Sequence, residues 1–233
     1  MSQISIIIPA HNEEKYIAQT IGSLLKQTYK NFEIIVVPNG CTDTTETKVQ
    51  KILRVKNKFI SNRTVLMTIP IKEANVSKAR NFGAKIANGE ILLFLDADTT
   101  LEKNALLKIE KEFNKKISFA TTKVRGDKKG ITSLIYSVWK NFFHKTGLYK
   151  GTSGTLISWK KQFEKVGGFN EKKKIMEIKD LRKKLLKFGK YKFINTTAIT
   201  SMRRFSEWGI FGTLIFWIKA LIKKVEKTYE VIR

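Results

Sequence analysis

Residues 77–99 read SKARNFGAKIANGEILLFLDADT, and the order of elements in this stretch decides the fold. Its first part belongs to a helix predicted over 75–88. Ala79, Phe82, Ala84 and Ile86 are partly inward, and Gly89 stands where a helix-terminating glycine is expected. A five-residue apolar strand at 91–95 follows and opens directly into Asp96-Ala97-Asp98. An apolar strand without polar alternation is buried on both faces, which is how strands of a parallel sheet covered by helices read.

The same alternation fills the residues before it. The β-branched run 4–8 is ended by Pro9, and 13–26 then places Ile17, Ile21, Leu24 and Leu25 on one helical face. A second strand at 32–37 stops at Pro38-Asn39-Gly40. Thr42 or Asp43 caps a helix running to about residue 56, and 65–69 is a third strand. Three βα units in succession imply one α/β domain with a mostly parallel sheet flanked by helices. Ligands of such sheets bind at the carboxyl ends of the strands. Pro9-Ala10-His11-Asn12-Glu13, Pro38-Asn39-Gly40 and Asp96-Ala97-Asp98 should therefore converge on one rim. After Asp98 the expected elements are a helix at 101–114, a strand at 117–124 and an amphipathic helix at 131–143 carrying exposed aromatics. A strand closing at 159, a short helix at 160–166, a helix at 176–188, a strand at 191–199 and a long helix at 206–230 complete the chain.

Composition supports a folded domain. Of 233 residues 42% are hydrophobic and 28% charged, enough to bury a sizeable core and unlike a disordered tail or fibrous repeat. Lys and Arg number 45 against 20 Asp and Glu, a net charge of +25, so the natural partners are polyanions: nucleic acid, an anionic membrane or a phosphorylated ligand. The basic residues are scattered and form no recognised nucleic-acid module, so nucleic acid is not the expected partner. Cys41 is the single cysteine, which excludes an intrachain disulfide and an all-cysteine metal cage and fits a reducing cytosol. The first apolar run is too short for a signal peptide.

The sharpest chemistry lies in Asp96 and Asp98. Two carboxylates at i and i+2 of extended backbone point the same way, toward one hard cation or one bound diphosphate and ribose. The competing reading is a solvated turn with Asp98 capping the next helix. Arg203 and Arg204, beyond the last strand, suit bidentate contact with a diphosphate, or else form a solvated or lipid-facing basic pair. Asn39 in Pro-Asn-Gly reads equally well as a turn residue with positive φ. His11 and His144 are isolated, lack metal-ligand spacing and read as surface or supporting residues. The stretch WGIFGTLIFWIKALIKK at 208–224 is too short in its apolar part to span a bilayer, which takes about 20 residues. It reads as an interfacial helix within 205–233, with Trp208 and Trp217 at the headgroup boundary and Lys219, Lys223, Lys224 and Lys227 toward anionic lipid. The alternative is a helix packed on its own domain or in a dimer.

Four blocks in order, IIIPAHNEE (6–14), VVPNGCTDTT (36–45), the 77–99 stretch and GTLISWKKQFEKVGGFNE (154–171), resemble the family 2 inverting glycosyltransferases of the GT-A fold over residues 4 to about 190. The resemblance implies a nucleotide-binding half at 1–100 and an acceptor half at 101–204. It implies nucleotide contacts from Pro9, Ala10, Asn12 and Glu13, with Asn39 in place of an acidic reader of the base. Arg80 would lie near the nucleotide, Asp96 and Ala97 at the ribose, Asp98 with Asp96 at a Mg²⁺ or Mn²⁺ ion, and Gly154 and Phe169 on the acceptor side. Inversion needs a general base. The family carries a Glu-Asp pair there, whereas MEIKDLRKKL (176–185) has Ile178 at the Asp position, leaving Asp180, which is favoured, and Glu177. Both also read as partners of Lys173, Lys183 or Lys184. The implied partners are a nucleoside-diphosphate sugar and a glycan or lipid-linked acceptor, at the inner face of a membrane in the cytoplasm. A sugar nucleotidyltransferase would need a Gly-rich basic loop after the first strand, and a dinucleotide enzyme its G-x-G-x-x-G; PAHNEE is neither.

Overall fold

The computed structural model describes residues 2–56, 64–148, 152, 154–173 and 177–203. The expected C-terminal helix within 205–233, and with it Arg204, lies outside the described residues. Among them the strands are β1 (Ile4–Ala10), β2 (Phe32–Pro38), β3 (Thr64–Thr68), β4 (Ile91–Leu95), β5 (Thr99–Leu101), β6 (Ile117–Gly126), β7 (Thr155–Trp159) and β8 (Lys190–Thr200). The helices are α1 (Ile17–Leu25), α2 (Thr45–Lys56), α3 (Val76–Ile86), α4 (Ala105–Glu112), α5 (Ile131–Thr146), α6 (Lys160–Lys165) and α7 (Glu177–Leu185). The strands form one sheet in the order β3-β2-β1-β4-β7-β6-β8-β5. The β3-β2-β1-β4 half is parallel, as is β6 with β8, while β7 runs antiparallel to β4 and β6, and β5 antiparallel to β8.

The apolar strands are apolar because both faces are covered, and the two faces separate with period two. Ile4, Ile6 and Ile8 of β1, Ile34 and Val36 of β2 and Leu93 and Leu95 of β4 pack with α1, α2 and α4 through Ile21, Val49 and Ile109. Ile7, Ile35, Leu92 and Phe94 pack on the other side with α3, α6 and α7 through Ala79, Phe163 and Leu181. Each fully buried Ile or Leu contributes roughly 1.5–3 kcal/mol. Gly83 lets α3 lie close on the sheet, because a Cβ there would stand 2.5 Å from Ile7 Cγ2. Arg80, one turn earlier on the same face, is thereby brought over the strand ends.

Four local expectations change. Pro9 lies inside β1, opposite Val37. The Ala10 carbonyl accepts from Asn39 N on the β2 side, so by alternation Pro9 faces β4, whose pairing has ended at Ile7, and no ladder bond is lost. Gly89 is not a left-handed helix terminus, since α3 ends at Ala87 in extended backbone. Gly89 is required because a Cβ would sit 2.6 Å from Ser5 Oγ; the turn is latched by the buried Glu33 carboxylate, which accepts from Ser5 Oγ at 2.5 Å and Asn88 N at 2.6 Å. The helix expected from residue 101 begins at Ala105, because Thr99–Leu101 pairs with β8 as an edge strand.

His144 is the fourth. Far from the surface, it is fully buried on α5, its ring stacked on Phe193 at 6.2 Å. Burial, with the Lys140 and Arg182 charges added, lowers its pKa from 6.5 to about 3. Between those values the unfolded chain binds a proton that the native state refuses. Stability is therefore complete above pH 6.5 and is lost as pH falls toward 3, by up to about 1.4 kcal/mol per pH unit. Urea denaturation at pH 6.5 and 5 should show a loss approaching about 2 kcal/mol that His144→Gln abolishes. An unchanged pH slope in the variant would refute the assignment.

Candidate active site

The carboxyl ends of β1, β2 and β4 meet, and side-chain bonds fix their loops. Asn39 is buried, and its Nδ2 donates to the Ala10 carbonyl at 3.0 Å, so its amide ties β2 to β1. The positive φ of this turn falls on Gly40 (φ 57) and not on Asn39, while Asn12 in the loop after β1 (φ 53) is a residue type that tolerates it. Asn12 Oδ1 accepts from Thr42 N at 2.8 Å, and His11 Nδ1 pairs with the Asn39 carbonyl at 2.6 Å. Thr20 of α1 donates to the Ala97 carbonyl at 2.7 Å and so anchors the Asp-Ala-Asp loop from beneath. Cys41 is half-buried, and burial pushes its thiol above its usual pKa, which argues against thiolate chemistry.

Asp96 and Asp98 do not lie on extended backbone. Asp96–Thr99 is a turn closed by Thr99 N donating to the Asp96 carbonyl at 3.0 Å, and it separates the two carboxylates onto different arginines. Arg80 Nη2 donates to Asp96 Oδ1 at 3.1 Å and its Nη1 to Glu177 Oε1 at 2.9 Å, with the guanidinium 5.2 Å from the Phe169 ring centroid. Arg203 binds both oxygens of the buried Glu13, at 2.8 and 2.7 Å, and reaches Asp98 Oδ2 at 3.1 Å. Burial opposes the Arg203 charge, but the Glu13 hydrogen bonds and the Asp98 and Glu13 charges outweigh it and raise its pKa above the ordinary arginine value. Two arginine–carboxylate chains thus flank Ala97: Glu177–Arg80–Asp96 and Glu13–Arg203–Asp98.

Gly154 is buried beside the Asp96–Thr99 turn. Its carbonyl accepts from Asp96 N at 3.0 Å, and its φ of +80, with Thr99 Oγ1 2.7 Å from where a Cβ would stand, admits glycine alone. Phe169 is buried against Phe94 and Phe163, and Asn81 clamps its backbone by accepting from its N–H and donating to its carbonyl, each at 2.9 Å. Phe169 is therefore a wall under Arg80. Glu177 is nearly buried at the start of α7, whereas Asp180, one turn on, is 40% exposed and paired with Lys173. Ile178 packs against the core face that contains Leu181. The Glu13–Arg203 pairing and the stacking of Tyr16 on Arg203 at 5.1 Å were not legible in the sequence, because 190 residues separate the pair.

Among the described residues no group of three or more His, Cys, Asp or Glu stands ready to hold a metal. Asp98 and Asp96 instead offer one or two hard oxygens at the rim. That donor set suits Mg²⁺ or Mn²⁺ shared with substrate phosphates better than a dedicated cage.

Comparison with known proteins shows the family and the fold. A family model described as Glycosyl transferase family 2 matches residues 5–163. An Escherichia coli UDP-Glc:alpha-D-GlcNAc-diphosphoundecaprenol beta-1,3-glucosyltransferase is 33% identical over 117 residues, 50% of this chain and 43% of its own. The solved structure of Staphylococcus aureus TarS 1–349 in complex with UDP aligns with a TM-score of 0.63 at 24% identity, over 88% of this chain and 62% of that one. A Pyrobaculum calidifontis mannosyltransferase in complex with GDP-Man and Mn²⁺ aligns with a TM-score of 0.70 at 16% identity, over 97% of this chain and 66% of that one. The chain spans less than half the length of the first curated relatives it matches.

Proposed function

Since the chain belongs to glycosyl transferase family 2 and has the GT-A architecture, we propose that it moves a sugar from a nucleoside-diphosphate donor to an acceptor hydroxyl with inversion. The observation that carries this reading is the Asp96-Ala97-Asp98 turn at the end of a buried strand, held between two arginines at the meeting point of three strand ends. Pro9, Ala10, Asn12, Glu13 and Asn39 line the nucleotide side, with Asn39 offering an amide oxygen where an acidic residue would read the base.

Asp98 and Asp96 would hold Mg²⁺ or Mn²⁺ at the diphosphate, where the ion neutralises the charge that develops on the leaving group. Arg203 would pass from Asp98 to a phosphate oxygen, since a guanidinium pairs with either anion in the same planar geometry. Arg204, in our reading, joins it there. Glu177 accepts the acceptor proton, a role its place in the Arg80–Asp96 chain supports over that of Asp180 beside Lys173. Gly154 and Phe169 shape the acceptor side. The acceptor class we favour is a glycan or lipid-linked saccharide at the cytoplasmic membrane face, with residues 205–233 as an interfacial anchor and no nucleic acid involved. The relative named for transfer onto a diphosphoundecaprenol-linked sugar supports that choice. The experiment that tests the proposal is a thermal-stabilisation screen of nucleoside-diphosphate sugars with and without Mg²⁺ or Mn²⁺.

A further inference from the structure

Helix α5 is built inside out. Its buried positions are Ser133, Lys140 and His144, with Ser137 and Asn141 half-buried beside them. The outward positions are Ile131, Leu134, Ile135, Val138 and Phe142, between 57% and 70% exposed, and the stripe continues to Leu148 at 65%. Their spacing of three, four and seven places them on one face. A helix that turns its polar side to the protein and its apolar side outward is matched to an apolar surround on that side.

The polar side is a fastening. Asn141 pairs with the β6 backbone by accepting from Val124 N at 2.8 Å and donating to its carbonyl at 2.9 Å. The Tyr191 hydroxyl donates to the His144 carbonyl at 2.9 Å, and Arg182 donates to the Gly147 carbonyl at 3.2 Å. The helix is thus fastened to the sheet by its polar side, with the apolar face turned outward. At its N-terminal end Asp127 donates its N–H to the Thr200 carbonyl and accepts from Met202 N, both at 2.9 Å. The face begins beside the segment that delivers Arg203 to Glu13 and Asp98.

The charge around the face selects what covers it. Arg125, Lys128, Lys129 and Lys145 are exposed at its two ends against one exposed acid, Asp127, and no acidic residue occurs from Lys128 to Leu148. A second copy would bring another +25 charge to the same contact, whereas an anionic lipid surface offers both an apolar layer and the opposite charge. At 16 residues α5 is about 24 Å long, and no helix among the described residues is long and apolar enough to cross a membrane. We infer that the exposed face of α5 docks the chain on an anionic lipid surface, with the helix lying in the headgroup layer beside the Arg203 segment. The docking itself does not depend on the glycosyltransferase reading; its purpose, presenting a lipid-linked acceptor to the strand-end site, does.

The full chain is tested by co-sedimentation with vesicles of phosphatidylcholine and phosphatidylglycerol and with phosphatidylcholine alone. It is compared with full-length L134Q/I135Q/V138Q/F142Q and with full-length W208Q/W217Q. The α5 variant should bind anionic vesicles about 100-fold more weakly while keeping its melting temperature and its nucleotide-sugar affinity. W208Q/W217Q should retain an α5-dependent part of the binding, and high salt or neutral vesicles should weaken all of it. Undiminished vesicle binding by the α5 variant overturns the inference. So does conversion of a dimer to a monomer by the same substitutions, or loss of all vesicle binding in W208Q/W217Q. If no nucleotide sugar binds while α5-dependent vesicle binding persists, the enzymatic reading fails and the docking stands.

Discussion

Asp98→Asn lowers sugar transfer by at least about 10²-fold and removes most of the gain that Mg²⁺ or Mn²⁺ gives to donor binding. Asparagine keeps the shape and the hydrogen-bonding capacity of the side chain, and Arg203 retains its two bonds to Glu13, so the fold survives the change. What is lost is the charge on one of the two carboxylates proposed to hold the ion. Asp96→Asn should show a weaker metal effect but a larger loss of donor affinity, because Asp96 also holds Arg80. Titration of donor with and without metal reads both; metal dependence that persists unchanged in the double variant contradicts the assignment of the site.

Glu177→Gln lowers transfer by roughly 10²–10⁴-fold with donor affinity within a few-fold of wild type, whereas Asp180→Asn leaves transfer close to normal. The difference follows from where one helical turn places the two groups: Glu177 is in the Arg80–Asp96 chain, while Asp180 is exposed and paired with Lys173. A group that removes the acceptor proton acts in the transition state, so its loss falls on turnover and not on donor binding. Parallel loss of donor binding in Glu177→Gln would make it a positioning residue for Arg80. A large loss in Asp180→Asn with Glu177→Gln active would return the role to Asp180.

Every strand but β5, and the meeting of three strand ends, were legible because each signal is local. Ile91–Leu95 is apolar on both faces, and the carboxylates follow it at once. What escaped depends on distance. Nothing near Glu13 marks Arg203 as its partner, and nothing near Thr99 marks Thr200, its partner in the β5–β8 pairing. The expectation that Asp96 and Asp98 face one way assumed extended backbone, and a turn replaced it. Gly89 reads as a helix terminus locally and is required instead by the backbone of Gln3 and Ser5. His144 reads as a surface residue because its helix carries its apolar residues on the outer face, a reversal that no periodicity distinguishes from an ordinary amphipathic helix.

The central claim is that the turn between Arg80 and Arg203 binds a nucleoside-diphosphate sugar. Its most direct test is thermal denaturation of the full chain against a panel of such donors, with Mg²⁺, with Mn²⁺ and with chelator, since a ligand that binds only the native state raises its apparent stability. One donor class is predicted to raise the melting temperature in the presence of metal and to do so far less with chelator. No stabilisation by any donor, or stabilisation that Asp96→Asn/Asp98→Asn leaves intact, would contradict the claim.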